Sequence, residues 1–377
     1  MRTPSPRGRP RTVFALRVRH SGRHECASQE WVASRLARLL GWQYGGVLRP
    51  GQGATAGAYY VPDDTLTGAD CTALGIHGED DLFGGVVPHA FVATKVITHG
   101  LFHPHSPAPA GWSSPLAAYL AGAVLPGWTL FDPAEIETAG LELLSAGGRI
   151  RLKLAQARGG NGQYLVASAA DLRQAIARLD PQQVRSHGLV VEQNLEQART
   201  FSVGELHVGG HHLAYLGSQH QVTDREGVEV YGGSRLRVAP GRLGDIQALA
   251  RDPAEAAALE HVRRYDAAVE QAYPGFFASR RNYDVVAGLD PQGRPRCAVL
   301  EQSWRLGGAS PAEVAALAHF LANPSGAAVE VSCHELHDPA QAPPPGTEVH
   351  FHDPASPRGP VLKYARVGPE PLAWTSA

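Results

Sequence analysis

Cysteine is scarce in this chain. The 377 residues hold four, Cys26, Cys71, Cys297 and Cys333, and no two are spaced Cys-x-x-Cys. Such scatter excludes a disulfide framework and a thiolate zinc site, and it predicts reduced thiols in a cytoplasmic protein. An excess of one charge is missing as well. A formal net charge of −2 argues against a general nucleic-acid binder, which carries a strong basic surplus. No apolar run approaches the roughly 20 residues needed to span a bilayer, so no membrane partner is expected. Residues 1–11 are basic and proline-rich with no apolar segment behind them, which reads as a frayed tail rather than a signal peptide. There is no internal repeat. The 18 histidines are spread along the chain, and the close pairs (His103/His105, His211/His212, His350/His352) lack the helical i, i+4 metal spacing.

Lysine is the rarest charge. Of 34 Lys and Arg, only Lys95, Lys153 and Lys363 are lysine. Where a positive charge merely meets solvent, arginine serves; a compact ammonium among phosphate oxygens is harder to replace. Lys153 stands in residues 151–166, RLKLAQARGGNGQYLV. A short alternating run, the turn Gly159-Gly160-Asn161-Gly162 and a second apolar run describe a β-hairpin. Glycine lets backbone N–H groups turn toward an anion, and such nests favour phosphate. Taken alone, the stretch reads first as an ordinary surface hairpin.

With 43% apolar residues the chain is globular and long enough for two or three domains. Residues 12–18 read as a strand. Residues 28–40 have helical spacing, with Ser28 as cap and Gly41 as stop. Strands are expected at 59–61 and 72–76, completing a small α/β unit whose loop at 75–87 lies at a strand end. Helices are expected at 133–144, 169–179, 253–273 and 310–321, the last with Ser310 and Glu313 as a capping box. Strands are expected at 188–195, 200–208 and 212–219, a mobile polar loop at 222–231, and a hairpin at 283–301. Beyond residue 335 the chain is proline-rich and reads as a surface-hugging tail.

Four features follow one another: Lys95, then Lys153 with its glycine loop, then an apolar strand closing in Glu192-Gln193-Asn194-Leu195, then a hairpin from Asp284 to Glu301 that ends EQSWRLGG. This ordered set, across residues 85–322, resembles the ATP-grasp superfamily. The resemblance implies an ATP-grasp fold of α/β and α+β parts, preceded by an amino-terminal α/β domain. It implies ATP and Mg2+ as cofactors. Lys95, Lys153 and the loop Gly159, Gly160, Asn161 and Gly162 would meet the phosphates. Glu192, Gln193, Asn194 and Leu195 would hold adenine, and Glu196 the ribose. Asp284, Glu301 and Ser303 would hold the metal. Arg305, with Lys153, would stabilise the transferring phosphoryl group. The superfamily's asparagine two residues beyond the glutamate is Ser303 here, a weaker donor, which puts the second metal site in doubt. Read from the residues alone, the alternative for Glu192 is a solvent-facing strand-end carboxylate, and that for Arg305 a surface arginine before a Gly-Gly turn. The chain is similar as well to a bacterial domain-of-unknown-function branch of that superfamily, a resemblance that names no substrate.

The expected domains are a tail at 1–11, an amino-terminal domain at 12–90, a lid at 91–195, a carboxyl-terminal metal-binding part at 196–335 and a tail at 336–377. The expected reaction joins a small-molecule or peptide carboxylate to an amine or other nucleophile through an acyl phosphate. A kinase on the same ATP site and a non-catalytic ATP-binding regulator are the alternatives. Superfamily members are often dimers, so a homodimer is expected.

Overall fold

The computed structural model describes residues 11–19, 21–49, 51–52, 55–157 and 162–369. Four sheets organise them. The expected tail at 1–11 lies outside the described residues except for Arg11, which pairs with Asp81.

The amino-terminal unit has three parallel strands in the order Gln43–Leu48, Thr12–Leu16, Ala58–Pro62. Helix Arg23–Leu40 packs its Val32, Ala33 and Leu36 on them. It begins five residues before the expected cap, because Glu25 reaches back to the Gly22 N–H at 2.8 Å. It ends at Gly41, whose φ of 68° suits glycine. The strand expected at 72–76 is instead helix Gly68–Leu74, started by the reciprocal Thr67 and Asp70 caps and stopped by Gly75. Local capping there decides for helix over the short apolar stretch.

The lid sheet is antiparallel, in the order Gly127–Leu130, Leu189–Gln193, Ile150–Leu154, Gln163–Val166. Helices Ile136–Ser145 and Ala169–Ile176 cover one face through Ile136, Ala139, Leu143 and Leu172. Its other face carries Arg151, Lys153 and Glu192.

The main sheet has eight antiparallel strands, in the order Pro295–Ser303, Arg280–Leu289, Glu196–Val208, His211–Thr223, Glu229–Pro240, Val329–Leu336, Leu362–Val367, Glu348–His352. Period-two alternation sorts its residues. Val203, Leu216, Tyr283, Val285 and Val299 face helix Pro253–Ala272, which buries Leu259, Val262, Tyr265 and Val269 against them. The opposite face receives helix Ser310–Ala322 and the amino-terminal unit at one end. At the other end that face presents Asp284 and Val286.

Two expectations fail here for a common reason. Residues 222–231 are no independent loop; they close a long hairpin whose register runs from Leu213↔Pro240 to Thr223↔Glu229. Residues 336–369 are no surface-hugging tail. They supply the two strands at the sheet edge and bury Val361, Leu362 and Tyr364. In both cases polar or proline-rich composition masked pairing with a distant strand. No described helix is long and apolar enough to cross a membrane.

Candidate functional site

Lys153 and Glu192 lie on neighbouring lid strands. The register pairs Lys153 with Val190 and Arg151 with Glu192, so Lys153 and Glu192 are diagonal neighbours on one face. Their charged atoms are 2.5 Å apart, and His99 Nε2 lies 2.9 Å from the other Glu192 oxygen. Lys153 is 4% exposed and Glu192 1%, so the glutamate is no solvent-facing strand end. Burial pushes the Glu192 carboxyl up, but Lys153 and then His99 outweigh it and hold it down to about 2. His99 was missed in the sequence because it was read among eighteen scattered histidines. Nothing local in the sequence signals it, since its partner Glu192 comes 93 positions later.

The hinge follows directly. Arg151 Nε donates to Asn194 Oδ1 at 2.7 Å, and Asn194 Nδ2 donates to the Leu195 carbonyl at 2.9 Å. The Gln193 N–H donates to Pro126 O and the Asn194 N–H to Arg149 O. Leu195 packs with Leu125, Val286, Ala298 and Leu300, an apolar group at the junction of lid and main sheet. Glu196, half-exposed, is gripped by Arg149 through both its oxygens, at 2.9 and 2.5 Å.

The last hairpin of the site sets Asp284 directly opposite Glu301, and Asn282 opposite Ser303. A register shift between Asp284 and Val285 accommodates the extra residue Leu300. Lys95 Nζ, 4% exposed, stands 2.8 Å from Glu301 Oε2 and donates to Ala157 O at 2.6 Å. Glu301 is raised by burial, but Lys95, then Lys153 and Arg305 bring it below its ordinary value. Burial and the neighbouring Glu301 push Asp284 up to about 6, and Gln219 Nε2 donates to it at 2.6 Å. Asp284 therefore gives up its proton less readily than an ordinary aspartate, and Glu301 more readily than an ordinary glutamate.

Among the described residues no three His, Cys, Asp or Glu side chains are grouped to hold a metal. Two facing carboxylates of this kind fit a hard cation that keeps waters and takes its other ligands from phosphate. They do not fit zinc.

Arg305 enters from the loop between this hairpin and helix Ser310–Ala322. Its Nε is 4.0 Å from Asp64 Oδ1 of the amino-terminal unit. The loop is shaped from below. Arg280 Nη1 donates to Ser303 O at 3.1 Å and Arg305 O at 2.6 Å, and Arg280 also grips Glu313 Oε1 and Oε2. Glu313 therefore faces the interior and is not a capping-box residue. The helix N-cap is Ala309, and Ser310 Oγ instead accepts from the Gly307 N–H. Tyr215 completes the group, its hydroxyl 2.7 Å from Glu313 Oε1. Gly204 makes room for it, since a Cβ there would overlap the Tyr215 hydroxyl.

The structure thus brings together Lys95, Lys153, Glu192, Asp284, Glu301 and Ser303, with Arg305 at the margin. Gly159, Gly160 and Asn161 lie outside the described residues. Gly162 adopts a φ of 62° at the base of the lid hairpin. Lys363, which the sequence left without neighbours, is buried 2.8 Å from Glu335 at the far end of the main sheet.

Solved structures with the same architecture span nearly the whole chain. N5-carboxyaminoimidazole synthetase from Staphylococcus aureus, solved with ADP, matches with a TM-score of 0.53 at 11% identity, over 96% of this chain and 94% of that one. Carboxyaminoimidazole ribonucleotide synthase from Aspergillus clavatus, solved with ATP, gives 0.52 at 14%, over 96% and 94%. Biotin carboxylase from Campylobacter jejuni, solved as a β,γ-ATP complex, gives 0.52 at 11%, over 94% and 87%. These are ATP-grasp enzymes, and the fold of this chain is the ATP-grasp fold. Among curated proteins none matches the sequence. A family model does match, over residues 13–365, and the chain belongs to that family, described as protein of unknown function DUF3182.

Proposed function

We propose that the protein is an ATP-dependent ligase that joins a carboxylate to an amine or another nucleophile. The observation that carries this reading is the convergence of two buried ammonium groups on carboxylates of the same cleft, Lys95 on Glu301 and Lys153 on Glu192. An ammonium at such a site is neutralised while the nucleotide is away and is positioned to meet phosphate oxygens when it arrives. Of the three hinge N–H groups, two are already used by Pro126 and Arg149, which leaves that of Leu195 for the adenine edge. The apolar group of Leu195, Val286 and Leu300 provides a face for the base. Glu192 lies one residue before the end of strand Leu189–Gln193, and Glu196 is the nearest carboxylate for the ribose once it exchanges its Arg149 partner. Gly159, Gly160, Asn161 and Gly162 would close over the phosphates.

Asp284 and Glu301, with Ser303 beside them, would hold Mg2+. When bound, that ion would neutralise charge on the phosphates. The protein's own part is positioning and electrostatics. Lys153 and Arg305 would stabilise negative charge that develops on the transferring phosphoryl oxygens. A substrate carboxylate attacks the γ-phosphorus, its new P–O bond forming as the bond to ADP breaks. The nucleophile then displaces phosphate from the acyl phosphate and loses its proton. No enzyme nucleophile is required.

Incubation with Mg-ATP and pools of carboxylates and amines tests the reading. ADP, free phosphate and a new amide are the expected products. A phosphorylated product without free phosphate would make it a kinase, and nucleotide binding without turnover across broad pools would make it a regulator.

A further inference from the structure

Asn282 joins two hydrogen-bond networks, and each orientation of its amide leaves one pair of oxygens without a proton between them. The residue is buried, two positions before Asp284 on the same strand face, and directly across from Ser303. With its nitrogen toward Asp284 Oδ1, at 3.1 Å, its oxygen faces the hydroxyls of Ser202 at 2.7 Å and Tyr215 at 2.8 Å. A tyrosine hydroxyl has a single proton. That of Tyr215 also faces Glu313 Oε1 at 2.7 Å, in a carboxylate held by Arg280 through two nitrogens. A carboxylate in such a grip only accepts, and a charged acceptor attracts the proton more strongly than a neutral amide oxygen. The Asn282 oxygen is then left against a lone pair of Tyr215.

Half a turn of the amide moves the conflict from Tyr215 to Asp284. The nitrogen, with two protons, donates to both hydroxyl oxygens, and the amide oxygen moves beside Asp284 Oδ1. Two oxygens 3.1 Å apart with no proton between them repel unless a cation faces both. Neighbouring ligands of an octahedral magnesium at 2.0–2.1 Å lie about 3 Å apart, which is this spacing. Gln219 still donates to Asp284 whichever way Asn282 turns.

We infer that Asn282 Oδ1 is a metal ligand beside Asp284 and Glu301. It supplies from the adjacent strand the amide oxygen that Ser303 lacks. This inference rests on the ATP and metal reading above. The register makes the exchange direct, because Asn282 and Ser303 are cross-strand partners. The amide therefore approaches the cation from the opposite arm of the same hairpin.

The test is Mn2+ binding to the full chain with a non-hydrolysable ATP analogue, followed by electron paramagnetic resonance. Asn282→Leu is expected to weaken Mn2+ binding about tenfold or more. Asn282→Asp keeps an oxygen toward the ion and is expected to retain or tighten binding. If it loses Mn2+ as Asn282→Leu does, the nitrogen is the working end and the inference is overturned. Unchanged affinity in Asn282→Leu overturns it as well. If the leucine variant does not fold, the aspartate variant against the unaltered protein decides alone. Failure of the unaltered protein to bind nucleotide and Mn2+ would sink the ligase reading itself. Binding there with an indifferent Asn282→Leu would sink only the ligand assignment.

Discussion

Lys153 and Glu192 form a buried ion pair, 2.5 Å apart, on diagonal positions of two lid strands. Neither charge has solvent to fall back on. Removing one strands the other, which costs about 3–5 kcal/mol when a pair is fully desolvated. Lys153→Met is therefore expected to lose stability toward the lower end of that range, since His99 still contacts Glu192. Lys153→Met combined with Glu192→Leu should recover most of it. Urea unfolding of the two variants beside the unaltered protein checks this, and an undiminished midpoint for Lys153→Met would show the pair to be solvated. Both lysine variants should also bind ATP more weakly.

The same glutamate sets an acid limit. Its folded carboxyl is held down to about 2, against an ordinary value of 4.5. For a depressed carboxyl the stabilisation is complete above the unfolded value and is lost as pH falls through the folded one. The stability advantage of the unaltered protein over Glu192→Gln should thus be constant above pH 4.5 and shrink toward pH 2. Melting temperatures of the two proteins across that range measure it. A difference that grows on acidification would contradict the assignment.

Glu301→Gln should abolish turnover while leaving the fold in place. The amide oxygen still accepts from Lys95, so the melting temperature should move little. Loss of charge at the metal position should lower the rate by at least about 100-fold, the equivalent of several kcal/mol at the transition state. Phosphate release assays decide it; near-normal turnover would remove Glu301 from the site.

Beneath the Arg305 loop, Arg280 and Glu313 are a second buried pair, 2.6 Å apart. Arg280→Met should cost about 3–5 kcal/mol in unfolding free energy. It should also free the backbone at Ser303 and Arg305, read as faster amide hydrogen exchange in residues 303–308. Slow exchange there in a folded variant would show that the loop is held by something else.

Gly204→Ala addresses the same network from the sheet. The added methyl would overlap Tyr215 and the Arg281 carbonyl, so a loss of about 1–3 kcal/mol is expected. Pairing it with Tyr215→Phe should not recover that loss, since the ring carbon that phenylalanine keeps would still lie 2.6 Å from the added methyl and the Arg281 carbonyl is untouched.

These tests draw on residues with unequal visibility in the sequence. Lys153, Glu192, Asp284 and Glu301 were legible because each sits on a short alternating strand beside a turn, and because their order in the chain carries the ATP-grasp resemblance. Asp284 and Glu301 needed only a hairpin turn at Pro291-Gln292-Gly293 to be set face to face. Glu313 was misread because its spacing from Ser310 imitates a cap, and the arginine that claims it is 33 positions away. His99 acquires meaning only when the lid sheet delivers Glu192 from 93 positions later. Asn282 is legible as a strand residue, but its amide orientation depends on the single proton of Tyr215. Contacts of this kind are set by strand pairing and burial, which local propensity does not encode.

The edge strands Glu348–His352 and Leu362–Val367 have a bearing on how the molecule is assembled. Helix Arg23–Leu40, synthesised long before them, rests against the first of them through Arg35 on Glu348 and Ser28 on His350. Its docking surface emerges from the ribosome only some 300 residues later. Until then the helix and its three parallel strands carry an unsealed apolar flank. Contacts of such long sequence separation slow folding and leave partly built forms open to aggregation. Shortening the chain at residue 336 would therefore harm the opposite end first.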